Sequence, residues 1–583
     1  MLSERQAPLV PAHLRRYVVE QDYGQYTEVD HAVWRFVLLQ TYTRLQHTAH
    51  ASYRTGLAAT GISIDRIPRI DEMNEKLSRF GWGAVCVDGF IPPRAFQSFQ
   101  ANRLLPIAAE IRTAEHLRYT PAPDIIHEAA GHAPILSEPA YARFIQEIGA
   151  ISEKAFTNPS DRAVYETIHT LSEVQENPWS TPSQIDLARR EFDRTMSNVT
   201  EVSEAARMAR LYWWTSEYGL IGSVEKYALY GAGLLSSLGE SQSCHDSAVK
   251  KLPLSAACVD VDYDITRPQP QLFVAKNFEH LSEVLEQVSA SLVYRGKPLP
   301  ALDVARRSDE VATLQLDNGL EVVGVVTRFE GFESEPSWVQ LKDAPALLGT
   351  SHHELPRCPA EYLLPLGRLG NGTSLSTLAL DDLRRHTRDG RLQLELASGI
   401  QISGQLRGNE IDAGRVRVAV LERFELSLPN GRVFRSQAPY PLALAEHITG
   451  VHAGASASYF PRTELSRAKV PAPRWYTPRE RDLVLLYEQA IDAWHNLAGG
   501  RLVSTFERIA AELDRQFPDD WLLRWNLLES LMKVADGDPL VATLTQRLEW
   551  LEIKFMHAEP IATGLATLRA LVNGGDRVRD AAI

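Results

Sequence analysis

Residues 119–132 read Tyr-Thr-Pro-Ala-Pro-Asp-Ile-Ile-His-Glu-Ala-Ala-Gly-His. Two histidines flank a glutamate, which invites comparison with the H-E-x-x-H zinc motif. The spacing is wrong for it. On an α-helix residues four apart lie about 40° apart, whereas His127 and His132, five apart, lie about 140° apart. Both reach one ion only if the helix is distorted or ends near Gly131, where glycine makes such a departure cheap. The metalloprotease reading is set aside. Two readings remain for the histidines: a metal-ligating pair, or core histidines satisfied by hydrogen bonds. Asp124, three residues before His127, favours the first, because its carboxylate could orient a ligand imidazole.

A third ligand should then be a carboxylate elsewhere in the chain. Glu217 stands out, within Leu211-Tyr-Trp-Trp-Thr-Ser-Glu217-Tyr-Gly-Leu220. An acid among large aromatics is costly to bury unless it is paired, protonated or metal-bound. Two histidines and one carboxylate suit non-haem Fe(II) chemistry. The competing reading is a surface glutamate turned away from the aromatic face. Tyr230-Gly-Ala-Gly233-Leu-Leu-Ser236-Ser237 suggests a dinucleotide loop only superficially: it lacks the third glycine and follows a helical pattern, so a tight backbone lining a pocket is expected.

The rest of the composition narrows the setting. The chain has 583 residues and a formal net charge of −13, which argues against nucleic acid or an anionic membrane as partner. Its four cysteines, Cys86, Cys244, Cys258 and Cys358, form no C-x-x-C pair, so metal ligands must be nitrogen and oxygen. Neither a signal-peptide pattern nor a long apolar span is evident, and a cytoplasmic protein is expected.

Three zones follow from the patterning. Residues 1–295 show 3.6-period helical segments such as His31 to Leu45 and Ala140 to Phe156. Residues 296–465 read as a β-rich, small barrel-like domain. There Leu314-Gln-Leu-Asp-Asn-Gly-Leu-Glu-Val-Val-Gly324 lines up with Leu394-Glu-Leu-Ala-Ser-Gly-Ile-Gln-Ile-Ser-Gly404 eighty residues later, and Leu426 to Phe434 gives a weaker third echo. Either a small unit is duplicated, or two Gly-turn hairpins merely look alike. Residues 466–583 are helical. Val470-Pro-Ala-Pro473 reads as a linker, Thr477-Pro-Arg-Glu480 is a capping box, and Gly499-Gly500 is a stop. No repeat period supports a solenoid, and the C-terminal half is a candidate for oligomerisation or partner binding.

Several separated blocks together resemble the pterin-dependent aromatic amino acid hydroxylases. They are Glu20 to Thr27 with His31 to Trp34, then 119–132, Leu211 to Leu220, Tyr230 to Glu240, and Gln269 to Glu279. The resemblance covers about the first 295 residues and implies a mainly α-helical catalytic domain of that type. It implies Fe(II) held by His127, His132 and Glu217. It implies a tetrahydropterin contacted by Gly89, Ile91, Phe96, Glu128, Ala209 and Tyr212, with Phe96 stacking on the ring and Glu128 accepting from its N–H groups. It implies an aromatic amino acid held by Arg112 at its carboxylate and by Thr120, Pro121, Trp213, Gly233 and Ser236 around its ring, Ser236 also meeting a ligand histidine. The reaction expected is O2-dependent ring hydroxylation, with L-phenylalanine to L-tyrosine as the leading case. A hydroxylase retuned to tryptophan or another ring position, and an idle homologue acting as a binding module, stay open. Departures from the family pattern, including Ala129-Ala130, Ala122, Ser216 and Tyr218, bear on the substrate and not on the ligands.

Overall fold

The structure is a computed structural model that describes residues 10–89, 91–117, 123–176, 180–265, 268–332, 335–349, 357–455, 477–555 and 558–573. Thr120, Pro121 and the proline-containing linker at 470–473 lie outside the described residues.

The first zone is mainly helical, as its periodicity predicts. Its longest core helix, Glu28–Leu45, opens on a capping box in which Thr27 and Asp30 satisfy each other's backbone N–H groups. Two small sheets interrupt the helices. One pairs β1 (Gly83–Val87) with β2 (Leu104–Ala108) in parallel. The other combines β3 (Leu220–Gly222), β4 (Tyr227–Leu229), β5 (Lys250–Pro253) and β6 (Gln271–Ala275). These strands are too short to show a period of their own. All four cysteines are free thiols. No helix among the described residues is long and apolar enough to cross a membrane.

The middle zone contains β7 (Val311–Leu316), β8 (Glu321–Phe332), β9 (Glu335–Leu348), β10 (Tyr362–Pro365), β11 (Thr387–Arg388), β12 (Arg391–Glu395), β13 (Gln401–Asp412), β14 (Arg415–Ser427), β15 (Val433–Ser436), β16 (Tyr440–Ala443) and β17 (Ile448–Ala453). They form two sheets, ordered β10-β9-β8-β7-β17 and β11-β12-β13-β14-β15, with β16 also on β14. Of the two readings of the sequence echo, duplication accounts for far more. Leu314 pairs with Val322 as Leu394 pairs with Ile402, and Val326 pairs with Leu341 as Leu406 pairs with Leu421. Register shifts recur at equivalent places, between Val323 and Val325 and between Ser403 and Gln405. Left-handed non-glycine residues recur too, Asp309 with Asp389 and Asp343 with Arg423. Coincident glycine turns would not reproduce bulges and strained backbone positions. The third echo is the simple hairpin between β14 and β15.

The barrel-like expectation is not met: neither sheet closes among the described residues. After β10 the chain crosses to the second unit, where Leu369 bridges Leu396. After β16 it crosses back, and β17 pairs with β7. Each unit thus lends a segment to the other's edge instead of closing on itself, which also covers edges that would invite aggregation. A reciprocal tyrosine pair marks the crossing. The rings of Tyr362 and Tyr440 stack at 5.2 Å, Tyr362 donating to the Pro441 carbonyl (2.9 Å) and Tyr440 to the Leu363 carbonyl (2.6 Å).

The third zone folds into helices Pro478–Asn496, Gly500–Gln516, Leu522–Val534, Pro539–Lys554 and Ala558–Asn573. The Thr477–Glu480 capping box is present. These helices have no separate core. Every residue from Leu522 to Leu531 is buried, and Phe36 of the first zone meets Trp521 and Trp525 edge-on at 5.0 and 4.8 Å. One continuous apolar core runs through both zones, and the β zone has its own.

Candidate active site

The spacing of the histidines is resolved by a π-helix. Residues Ile126–His132 form a π-helical segment, whose i→i+5 bonding brings residues five apart onto one face. His127 and His132 therefore face each other, ring centroids 5.0 Å apart at 90°. A second π segment, Trp213–Glu217, continues the helix Glu204–Tyr212 and ends on the carboxylate. Glu217 Oε2 lies 3.2 Å from His127 Nε2, and its Oε1 lies 3.1 Å from His132 Nε2.

Glycines let the two segments approach. A Cβ on Gly131 would sit 2.7 Å from the Ala232 carbonyl oxygen, and one on Gly231 would sit 2.4 Å from that of Glu217. A Cβ on Gly233 would come 3.0 Å from the Tyr218 ring. Backbone at this range excludes any side chain. The Tyr230–Ser237 run is thus the tight backbone expected, packed against Gly131 of the first π segment and against the Glu217 backbone carbonyl that ends the second.

The charges are set by position. Burial alone would raise the Glu217 carboxyl, but His132 and His127 facing it outweigh that and hold it well below the usual carboxylate range. Burial pushes the Glu128 carboxyl up to about 8, offset in part by His132 and reinforced by Glu217 and Asp124. His127, Glu128 and His132 also have ligand atoms within 4.8 Å of one another. Glu128, however, lies 3.9 Å from His132 and is held neutral, whereas Glu217 turns one ionised oxygen to each imidazole at 3.1–3.2 Å. Glu217 could therefore serve as a third donor.

The set fits a divalent first-row ion. His132 Nε2 is buried and makes no hydrogen bond within the described residues, although Glu217 is in range. An orphaned buried nitrogen beside a second imidazole and an ionised carboxylate is costly without a cation. Ser236 prepares His127 for the same task. Its hydroxyl donates to the Ala232 carbonyl (2.7 Å), so its oxygen accepts from His127 Nδ1 (3.0 Å) and leaves Nε2 with its lone pair exposed.

Asp124 departs from the expected role. It reaches His127 through the backbone N–H (3.0 Å), not the imidazole. Its oxygens are taken by Arg112, whose Nε and Nη2 donate at 2.8 and 2.7 Å. Burial would raise Asp124, but the Arg112 guanidinium outweighs it and lowers the carboxyl. Arg112 Nη1 also donates to the Ser236 carbonyl (3.3 Å), so three of its five N–H groups carry these contacts.

Around this centre the other residues fall on two sides. On one, Phe96 meets Tyr212 edge-on at 5.9 Å, and Tyr212 lies 6.4 Å from the His132 ring. Gln100 donates to the Tyr212 hydroxyl at 2.6 Å. Ala209 is half-buried on the same helix as Tyr212. Gly89, with φ +60°, donates to Glu110 (3.1 Å), and half-buried Ile91 packs against the small apolar cluster that includes Phe99. On the other side Trp213 is sandwiched between Tyr263 (4.4 Å, 14°) and Tyr218 (4.7 Å, 34°) and donates to Gln269 at 3.4 Å.

Gln100, Tyr263 and Glu240 escape a reading of the sequence. Gln100 follows Phe96 by one helical turn, a usable signal, whereas Tyr263 lies in irregular chain. Glu240 accepts from the Tyr218 hydroxyl at 3.1 Å, and burial pushes its carboxyl up to about 7. A raised folded-state value means that its contribution to stability is full below about pH 4.5 and is lost as pH rises to about 7. Glu240→Gln should remove that loss, making the protein more stable than the parent above pH 7 by on the order of 3 kcal/mol and equal to it near pH 4. Urea denaturation at the two pH values reads this directly.

Comparison with known proteins points to one family. The model of the biopterin-dependent aromatic amino acid hydroxylase family matches residues 17–168 and 196–297. The phenylalanine-4-hydroxylase of Mesorhizobium japonicum is 29% identical over 295 residues, which is 50% of this chain and 90% of that protein. That of Pseudomonas aeruginosa is 28% identical over 290 residues, 49% of this chain and 94% of that one. Among solved structures, phenylalanine hydroxylase from Chromobacterium violaceum with bound iron(III) and 7,8-dihydrobiopterin is 25% identical, covering 48% of this chain and 88% of that one at a TM-score of 0.37. Over residues 17–168 and 196–297 this chain is similar to the biopterin-dependent aromatic amino acid hydroxylases, and these likenesses support a pterin-dependent aromatic amino acid monooxygenase.

Proposed function

We propose that this chain hydroxylates L-phenylalanine to L-tyrosine, with Fe(II) held by His127, His132 and Glu217 and a tetrahydropterin beside it. The observation that carries the reading is the convergence of one ionised carboxylate on two facing imidazoles, 3.1 and 3.2 Å away. Phenylalanine is favoured because the relatives named above are phenylalanine hydroxylases. When bound, the ferrous ion and reduced pterin supply the O2 activation that puts one oxygen atom on the ring.

The protein's own residues do the rest. Ser236 fixes the tautomer of His127, and Asp124 pins the backbone at the start of the π segment. Arg112, itself oriented by Asp124, offers its remaining N–H groups to the substrate carboxylate. Trp213, clamped between two tyrosines, gives the substrate ring a rigid wall, with Gly233 leaving room beside it. Phe96 stacks on the pterin, Tyr212 backs it, and Glu128 accepts hydrogen bonds from its N–H groups. The C-terminal helices support the helix Glu28–Leu45 from behind.

A substrate panel tests the reading. Ferrous-loaded protein with tetrahydropterin and O2 should give tyrosine from phenylalanine, with kcat/KM at least about tenfold above that for tryptophan. A preference for tryptophan would overturn the substrate assignment and leave the family intact.

A further inference from the structure

The β zone touches the pterin side of the site directly at one point and is linked to it at a second. The first is Arg94, in the opening turn of the helix Pro93–Ala101 that carries Phe96. Its guanidinium donates to the Glu153 carbonyl (2.9 Å), the Ala155 carbonyl (3.3 Å) and the Glu310 carboxylate (2.7 Å). Glu310 immediately precedes β7, and its other oxygen accepts from the Thr157 N–H at 2.9 Å. Gly454, just past β17, lies flat on the guanidinium; a Cβ there would sit 2.9 Å from Arg94 Nη1. Gly454 is itself held by β7, its N–H donating to the Val311 carbonyl and its carbonyl accepting from Thr313, both at 2.8 Å. The pair is mostly shielded from water, at 29% and 16% side-chain exposure.

The second point is Glu204, in the first turn of the helix that carries Ala209 and Tyr212. Its carboxylate accepts from the Val293 N–H (2.6 Å) and the Phe156 N–H (3.4 Å). Phe156 is buried in the core of the β zone, and Val293 packs against that core. The β zone therefore holds the Phe96 helix directly through Glu310, and its core reaches the Tyr212 helix through the first-zone residues Phe156 and Val293.

We propose that the β zone is the rear wall of the pterin cleft, and that Glu310 is a positioning residue that sets pterin affinity by locking Arg94 and hence Phe96. The inference rests on the proposed pterin site. It gives the middle third of the chain a task within the enzyme: a duplicated, strand-exchanged unit is stiff, and stiffness is what a positioning wall needs. Ligand contacts held by such support lose affinity when the support is cut even though no contact atom is removed.

The test is anaerobic calorimetry on the ferrous-loaded full chain, titrated with tetrahydropterin and separately with phenylalanine. Glu310→Ala should weaken pterin binding about tenfold, leave ferrous stoichiometry unchanged and alter phenylalanine binding less than about twofold. Glu310→Gln, which keeps the acceptor for Thr157 but loses the charge, should fall between. Arg94→Ala combined with Glu310→Ala should cost less than the sum of the two single variants, since the two side chains share one contact. Glu425→Ala, which breaks the exposed pair with Arg435 on the second sheet, should match the parent. Parent-like pterin binding in Glu310→Ala, or a parallel loss of iron, pterin and phenylalanine binding, would overturn the inference while leaving the proposed function standing. A parent protein indifferent to tetrahydropterin would instead sink the proposed function, and this inference with it.

Discussion

Glu217→Ala is expected to lose its ferrous ion and its activity together. The substitution removes the one ionised oxygen donor from between His127 and His132. Two neutral imidazoles alone hold a ferrous ion poorly, and activity should fall by on the order of 10^3-fold or more. The fold should survive, because both π segments are fixed by backbone packing around Gly131 and Gly231, not by the carboxylate. A chelator assay after anaerobic loading should find one ferrous ion per parent chain and almost none in the variant. Glu128→Ala sharpens the test. If His127, Glu128 and His132 were the ligand set, that variant would lose iron; with Glu217 as third donor it keeps iron and loses pterin affinity.

Arg112→Ala should damage stability and substrate binding at once. Arg112 and Asp124 are 2% and 4% exposed at their side chains, and removing one partner leaves the other charge buried with only backbone N–H groups around it. Breaking such a pair costs about 3–5 kcal/mol. Asp124 also pins the His127 backbone, so slack there reaches the metal ligand. The KM for the amino acid should rise about 100-fold as its carboxylate partner disappears. Arg112→Lys separates the two effects: it restores charge and most of the stability but not the planar fork, so KM should stay high. Chemical denaturation and steady-state kinetics on both variants check this.

How much of this was legible in the sequence differs from residue to residue. The convergence of His127, His132 and Glu217 was open to suspicion from the sequence, because a glutamate among tryptophans and two histidines around a glutamate are costly arrangements without a purpose. The obstacle was spacing: histidines five positions apart do not share a face of an α-helix, and nothing in Ile126–His132 announces a π segment. Its cause is tertiary, the contact of Gly131 with the Ala232 backbone a hundred residues away. The partner of Asp124 was not legible, since Arg112 reaches it from another segment. In the β zone the eighty-residue echo was visible, yet the barrel expected from it does not form. A hairpin pattern fixes local register and is silent on which sheet the next strand joins, and here the units exchange strands. The C-terminal helices were legible as helices from their caps. That they share a core with Phe36 was not, because an amphipathic face does not name its partner.

The central claim is that this chain transfers one atom of O2 to the ring of an aromatic amino acid at the expense of a reduced pterin. The most direct measurement is a single turnover of ferrous-loaded protein with tetrahydropterin and phenylalanine, started with 18O2 and followed by mass spectrometry of the product. One 18O atom in each tyrosine formed, with one pterin consumed per tyrosine, is the predicted result. Iron bound and pterin oxidised, but no labelled tyrosine or other hydroxylated amino acid, would contradict it.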